Sequence, residues 1–148
     1  MMSRNSSSGS GQKRTKVLFL CTNNSARSQM AEGLLRTYGK DRFEAYSAGS
    51  VPTRVHPLAI KAMSEIDIDI SGQRSKSILE LDNIEFDIVI SLCDGSKGSC
   101  PMAHGKKVLH RAFPDPVTTD DGGTENFGRF VEVRDLIKKW ILSNFVDK

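Results

Sequence analysis

Four consecutive apolar residues, Val17-Leu18-Phe19-Leu20, interrupt an otherwise polar N-terminal stretch. A run that is apolar on both faces predicts a strand buried front and back in a parallel sheet. From Gln29 the period changes: Met30, Leu34, Leu35 and Tyr38 fall at helical spacing, and Gly39 marks the end of that helix. Residues 42–47 (RFEAYS) alternate as a second strand, and residues 48–52 (AGSVP) form a loop. Pro57 opens a second helix at the favoured first-turn position, with Leu58, Ala62, Met63 and Ile66 on one face. Residues 77–81 read as a short third helix and residues 87–92 (DIVISL) as another buried strand. A glycine- and serine-rich loop at residues 93–105 leads to a short fourth strand at residues 107–109. From Thr124 to about Phe145, a stripe of Phe127, Phe130, Val131, Ile137, Trp140 and Ile141 predicts a long amphipathic helix.

Strands alternating with helices imply an α/β fold: a three-layer sandwich with a four-stranded, mainly parallel sheet and helices on both faces. Ligands of such sheets bind at the carboxyl edge of the strands. The loops after the first strand and after DIVISL end on that same edge, which brings Cys93 towards Cys21 although they are distant along the chain.

The 148 residues suit one domain with one sizeable core, and 38% hydrophobic with 26% charged residues is ordinary for a soluble protein. Residues 1–15 carry Ser, Gly and basic residues without an apolar centre, so they read as a mobile tail ahead of a single catalytic domain at 16–148. No segment has the apolar length of a membrane span, and no export signal is visible, which points to the cytoplasm. A net charge of +3 without a basic stripe interleaved with aromatics argues against nucleic acid and mildly favours a small anion. Three cysteines, Cys21, Cys93 and Cys100, argue against a structural disulfide framework and for reactive thiols or metal ligands.

The candidate chemistry lies in Cys21-Thr22-Asn23-Asn24-Ser25-Ala26-Arg27, followed by Ser28. On a short turn between a strand and a helix, backbone N–H groups and the positive end of the helix converge on one point. A thiol there is favoured as the thiolate nucleophile, and an arginine fork can hold a tetrahedral oxyanion through two parallel bonds. Asn23 stands where such a turn often has glycine, and asparagine tolerates positive φ. Asn24 and Ser28 can hydrogen-bond the loop and the thiolate, or merely cap the turn and helix. Asp115, in Phe113-Pro114-Asp115-Pro116, is a carboxyl group on a stiff segment after the fourth strand and can protonate a leaving oxygen. Cys93 and Cys100, seven apart in CDGSKGSC, admit three readings: metal ligands with His104 and His110, unrelated buried cysteines, or a thiol relay by exchange with Cys21. His56 and His110 read as structural or surface residues.

The run VLFLCTNNSARSQMAEGLL, the segment DIDISGQ, the pair Cys93/Cys100 after DIVISL, and Asp115-Pro116 resemble thioredoxin-coupled arsenate reductases, which share the fold of low-molecular-weight protein-tyrosine phosphatases. The resemblance covers about residues 16–146. It implies that arsenate, with phosphate and sulfate as analogues, binds the Cys21–Arg27 loop. Cys21 then attacks arsenic and Asp115 helps water leave. Cys93 attacks Cys21, arsenic departs as arsenite, and a Cys93–Cys100 disulfide is left for thioredoxin. No cofactor and no resident metal are implied, and the expected state is a monomer. Members that bind potassium carry a Thr and an Asp where this chain has Arg74 and Lys76, so no potassium site is expected and Lys76 supplies the positive charge. The competing readings are a low-molecular-weight protein-tyrosine phosphatase, disfavoured by Val117 where an aromatic wall is expected, and a non-catalytic oxyanion or redox sensor.

Overall fold

The computed structural model describes residues 14–93, 103–117 and 127–147. Its first strand, β1 (Thr15–Leu20), sends alternate side chains into two separate cores: Val17 and Phe19 into one, Leu18 and Leu20 into the other. That is why the run reads as continuously apolar. Helix α1 (Arg27–Tyr38) follows, then β2 (Phe43–Ala48), α2 (Pro57–Ser64), a 3-10 turn (Ile78–Leu81), β3 (Phe86–Ser91), β4 (Gly105–His110) and α3 (Phe127–Ile141). A π-helical turn, Leu142–Val146, closes the described chain.

The sheet order is β2-β1-β3-β4, and all three strand pairs are parallel. The expectation of a mainly parallel sheet therefore becomes a wholly parallel one among the described residues. The strand begins at Thr15, inside the segment assigned to the tail, because Thr15 and Lys16 already pair with Phe43 and Glu44. The α1, α2 and α3 helices all pack on the Val17/Phe19 face, around Met30, Leu34, Met63, Phe130 and Ile137. The Leu18/Leu20 face is covered by Ile78, Leu81 and Ile84, so its helical layer is the 3-10 turn alone among the described residues. Of the expected α2 face, Ala62 and Met63 are fully buried together with Ala59, while Leu58 and Ile66 pack partly buried at the edge of the same core, Ile66 lying past the helix end at Ser64.

Two consequences position the site. The register Leu20↔Ser91 sets the ends of β1 and β3 side by side, and the Leu92 N–H donates to the Leu20 carbonyl (2.8 Å). Cys21 and Cys93 thus leave the sheet at one edge, one residue out of step. Gly49, just past β2, lies against the loop after β1. A Cβ there would stand 2.5 Å from the Thr22 carbonyl oxygen and 2.7 Å from that of Cys21, so only glycine fits.

Candidate active site

The loop after β1 is held from outside by its carbonyls. Val51 N donates to Thr22 O (2.9 Å), Thr53 N to Asn23 O (3.3 Å) and His56 N to Ser25 O (3.0 Å). The Gln29 side chain donates to Asn24 O (3.0 Å). With the carbonyls of residues 22–25 engaged outward, the amide N–H groups of residues 22–26 make no bond among the described residues. Helix α1 starts at Arg27 without a side-chain cap and without an acidic residue in its first turn. Free amides and an uncompensated positive helix end form an anion cradle. The positive φ needed to close the turn falls on Asn24 (48°), not on Asn23 as expected. Asn23 instead donates its side-chain amide to Val51 O (2.8 Å).

Cys21 is a buried free thiol within the cradle. Its Sγ lies 2.9 Å from Ser28 Oγ. The direction of that bond follows from its neighbours. Lys76 N donates to Asn24 Oδ1 (2.9 Å), which turns the Asn24 amide so that Nδ2 donates to Ser28 Oγ (2.8 Å). The Ser28 hydroxyl then has its own hydrogen left to donate to Cys21 Sγ.

Arg27 is the first residue of α1, and its guanidinium is buried. Nη1 donates to the carbonyls of Leu92 (3.4 Å) and Phe113 (3.2 Å), beyond the ends of β3 and β4. These bonds aim Nη2 at Asp115, whose Oδ2 is 3.6 Å away. The other oxygen, Oδ1, accepts from Val117 N (3.0 Å). The Asp115 carboxyl is thereby fixed over the cradle with its face open to solvent. A cavity of about 250 Å³ lies between, lined by Cys21, Asn23, Ser25, Ala26, Arg27, Thr53, Arg54, His56, Asp115 and Val117.

Of the expected site residues, the structure brings Cys21, Arg27, Asp115 and the loop residues Thr22, Asn23, Asn24, Ser25, Ala26 and Ser28 into one place. Cys93 is at its rim, with Sγ 4.0 Å from Thr22 Oγ1, and it is disulfide-bonded. Cys100 lies outside the described residues. No group of His, Cys, Asp and Glu able to hold a metal occurs among the described residues. His104 and His110 are exposed along β4.

Three residues of the cavity escaped the sequence reading: Thr53, Arg54 and His56. His56, read as structural, does cap α2: its Nδ1 accepts from Leu58 N (3.1 Å), and its ring stacks against Phe130 at 4.7 Å. It also faces the cavity. Burial, with the Arg54 guanidinium nearby, pushes its pKa below the ordinary histidine value, and Asp115 pulls it partly back. The signal available in sequence was the β2–α2 loop ending on the same sheet edge.

Behind the cradle, Lys76 Nζ sits 3.8 Å from the buried Glu32 carboxylate and donates to Arg74 O (2.9 Å). Glu32 also accepts from Arg36 and Ser47. Burial holds the Lys76 ammonium below its usual pKa, while Glu32 draws it up. Arg74 points elsewhere, to Glu80 (2.8 Å).

Comparison with known proteins agrees with this geometry. Residues 16–144 match the family model described as low molecular weight phosphotyrosine protein phosphatase. An arsenate reductase of Halalkalibacterium halodurans is 42% identical over 126 residues, 84% of this chain and 91% of the relative. An arsenate reductase of Bacillus subtilis is 42% identical over 124 residues, 82% of this chain and 88% of the relative. A solved structure of an arsenate reductase in the phosphate binding state superposes with a TM-score of 0.70 at 33% identity, covering 90% of this chain and 97% of the other.

Proposed function

The chain belongs to the low molecular weight phosphotyrosine protein phosphatase family, and from that premise we propose that it reduces arsenate to arsenite through Cys21 and a thiol relay. The observation that favours reduction over hydrolysis is the position of Cys93, one residue out of step with Cys21 on the adjacent strand and 4.0 Å from the hydroxyl of Thr22. A hydrolase has no use for a second thiol there. Relatives at 42% identity that carry the name arsenate reductase support the same choice.

Arsenate occupies the cradle, held by the amides of residues 22–26 and the free edge of the Arg27 guanidinium. The Cys21 thiolate attacks arsenic, and the As–O bond opposite breaks as Asp115 gives its proton to the departing water. The Cys93 thiolate then attacks Cys21 Sγ. An S–S bond forms, and the S–As bond breaks with its electron pair left on arsenic, which leaves as arsenite. Cys100 attacks Cys93 Sγ and releases the Cys21 thiolate. The resulting disulfide is returned to thiols by an external dithiol, for which thioredoxin is our choice. We take residues 15–148 as one catalytic domain, acting as a monomer in the cytoplasm. Among the described residues no helix is long and apolar enough to cross a membrane.

Phosphatase chemistry is the second reading, because the cradle and Asp115 serve a phosphate ester equally well. Among the described residues no Phe, Tyr or Trp side chain lines the cavity, so a phosphotyrosine ring finds no large aromatic wall to stack on. The deciding assay supplies arsenate, thioredoxin, thioredoxin reductase and NADPH, and measures arsenite formed per NADPH consumed. One-to-one coupling that disappears in Cys21→Ser is expected. Absence of arsenite, with Cys21-dependent hydrolysis of 4-nitrophenyl phosphate, would overturn the reading in favour of the phosphatase.

A further inference from the structure

The cavity is larger than the anion it is proposed to hold. At about 30 Å³ per water-sized volume, the four oxygens of a tetrahedral oxyanion fill about 120 Å³ of the roughly 250 Å³ present. Part of the lining is the cradle, with Arg27 committed to the oxyanion and Asp115 to the leaving oxygen. The remaining lining is Thr53, Arg54, His56 and Val117. It offers a guanidinium, an imidazole and a hydroxyl.

Arg54 is exposed, and no described carboxylate pairs with it. It lines the cavity together with His56, and its charge is felt at the His56 ring. The tautomer of His56 is fixed by packing: Nδ1 accepts the Leu58 N–H (3.1 Å), which leaves the ring proton of neutral imidazole on Nε2 as a donor. The segment is anchored to the loop it faces by the His56 N–H to Ser25 O bond (3.0 Å). His56 is thus held at a fixed offset from Cys21, with Arg54 two residues before it on the same segment.

We propose that Arg54 and His56 form a second anion subsite, and that the protein hydrolyses phosphomonoesters whose leaving group carries its own carboxylate or phosphate in preference to neutral ones. The inference rests on the loop being an oxyanion site, and not on arsenate reduction. The step balances without an electron donor. Cys21 attacks phosphorus, the P–O bond to the leaving group breaks, and Asp115 protonates the departing oxygen. Water, losing its proton to the Asp115 carboxylate, then attacks phosphorus and breaks the S–P bond to release phosphate.

The test compares 4-carboxyphenyl phosphate with phenyl phosphate as substrates, and the two corresponding phosphonates as inhibitors that cannot be hydrolysed. Variants are Arg54→Gln and His56→Asn; asparagine keeps an acceptor at the cap of α2, so the fold is retained. In the wild type the carboxylated phosphonate binds about fivefold more tightly, the scale of one solvent-exposed ion pair. The kcat/KM ratio of carboxylated to plain ester falls by a similar factor in Arg54→Gln, a comparison in which intrinsic leaving-group reactivity cancels. Equal affinity for the two phosphonates in the wild type, or an undiminished preference in both variants, overturns the proposal. If neither phosphonate binds, the oxyanion loop itself is refuted, and the inference falls with it. If the preference holds while arsenate is not reduced, the subsite stands and only the reductase reading fails.

Discussion

Replacing Ser28 with alanine isolates the bond that the structure aims at the Cys21 thiol. The hydroxyl lies 2.9 Å from Cys21 Sγ and receives the Asn24 amide at 2.8 Å from the other side. A hydrogen bond to a charged acceptor is worth about 1.5–3 kcal/mol, and about 1.4 kcal/mol is tenfold in an equilibrium constant. Losing it slows the reaction of Cys21 with an electrophile by about 10- to 100-fold. The same change strands the buried Asn24 Nδ2, at a cost of about 1–3 kcal/mol in stability, or a few degrees in Tm for a domain of this size. The assay is the rate of iodoacetamide alkylation at one fixed pH, in a Cys93→Ser/Cys100→Ser background so that only Cys21 reacts. The rate falls, and Tm drops. An alkylation rate unchanged in Ser28→Ala, in a protein that still folds, would refute the chain of bonds from Lys76 through Asn24 and Ser28 to the thiol.

Gly49→Ala should cost several kcal/mol and abolish phosphate binding, since its Cβ would meet backbone atoms of Thr22, Cys21 and Asn24 at 2.5–2.9 Å; urea unfolding and phosphate titration check this, and near-wild-type values would show that the loop yields. His56 has its pKa lowered in the folded state, so the unfolded chain takes up that proton first. Stability contributed by neutral His56 is present above about pH 6.5 and is lost as the pH falls towards the lower folded value. His56→Asn removes this loss, so wild type should weaken relative to the variant between pH 7.5 and 5 in paired denaturant titrations; parallel curves would count against the burial of the ring. Potassium and sodium chloride at equal ionic strength should give the same Tm and kcat/KM, because the Lys76 ammonium already faces Glu32 at 3.8 Å. A potassium-specific gain would contradict that.

Much of the site could be read before folding because its parts are local. The apolar run of β1, the polar turn and the helix from Arg27 are contiguous, and alternation of strands and helices sets the edge on which Cys21, Cys93 and Asp115 appear. What could not be read depends on tertiary docking. Two adjacent asparagines tolerate positive φ alike, and the choice of Asn24 follows from the bonds its side chain makes to Lys76 N and Ser28, from distant and near segments. His56 looks in sequence like a residue before a helix-opening proline, and only the bond of its N–H to Ser25 O sets it over the cavity. The second sheet face was expected to carry a helix; the segment between β2 and β3 supplies Ile78, Leu81 and Ile84 to that face, but only Ile78–Leu81 is helical, a single 3-10 turn opened by a capping box at Ser77 and Glu80.

The central claim is that three thiols pass one pair of electrons to arsenic. Fully reduced protein is mixed with arsenate in the absence of any external thiol, quenched with an alkylating agent, and peptide-mapped by mass spectrometry. The account predicts one arsenite per protein, a disulfide joining Cys93 to Cys100, an alkylated Cys21, and none of these products in Cys21→Ser. Three alkylated cysteines and unchanged arsenate would contradict it.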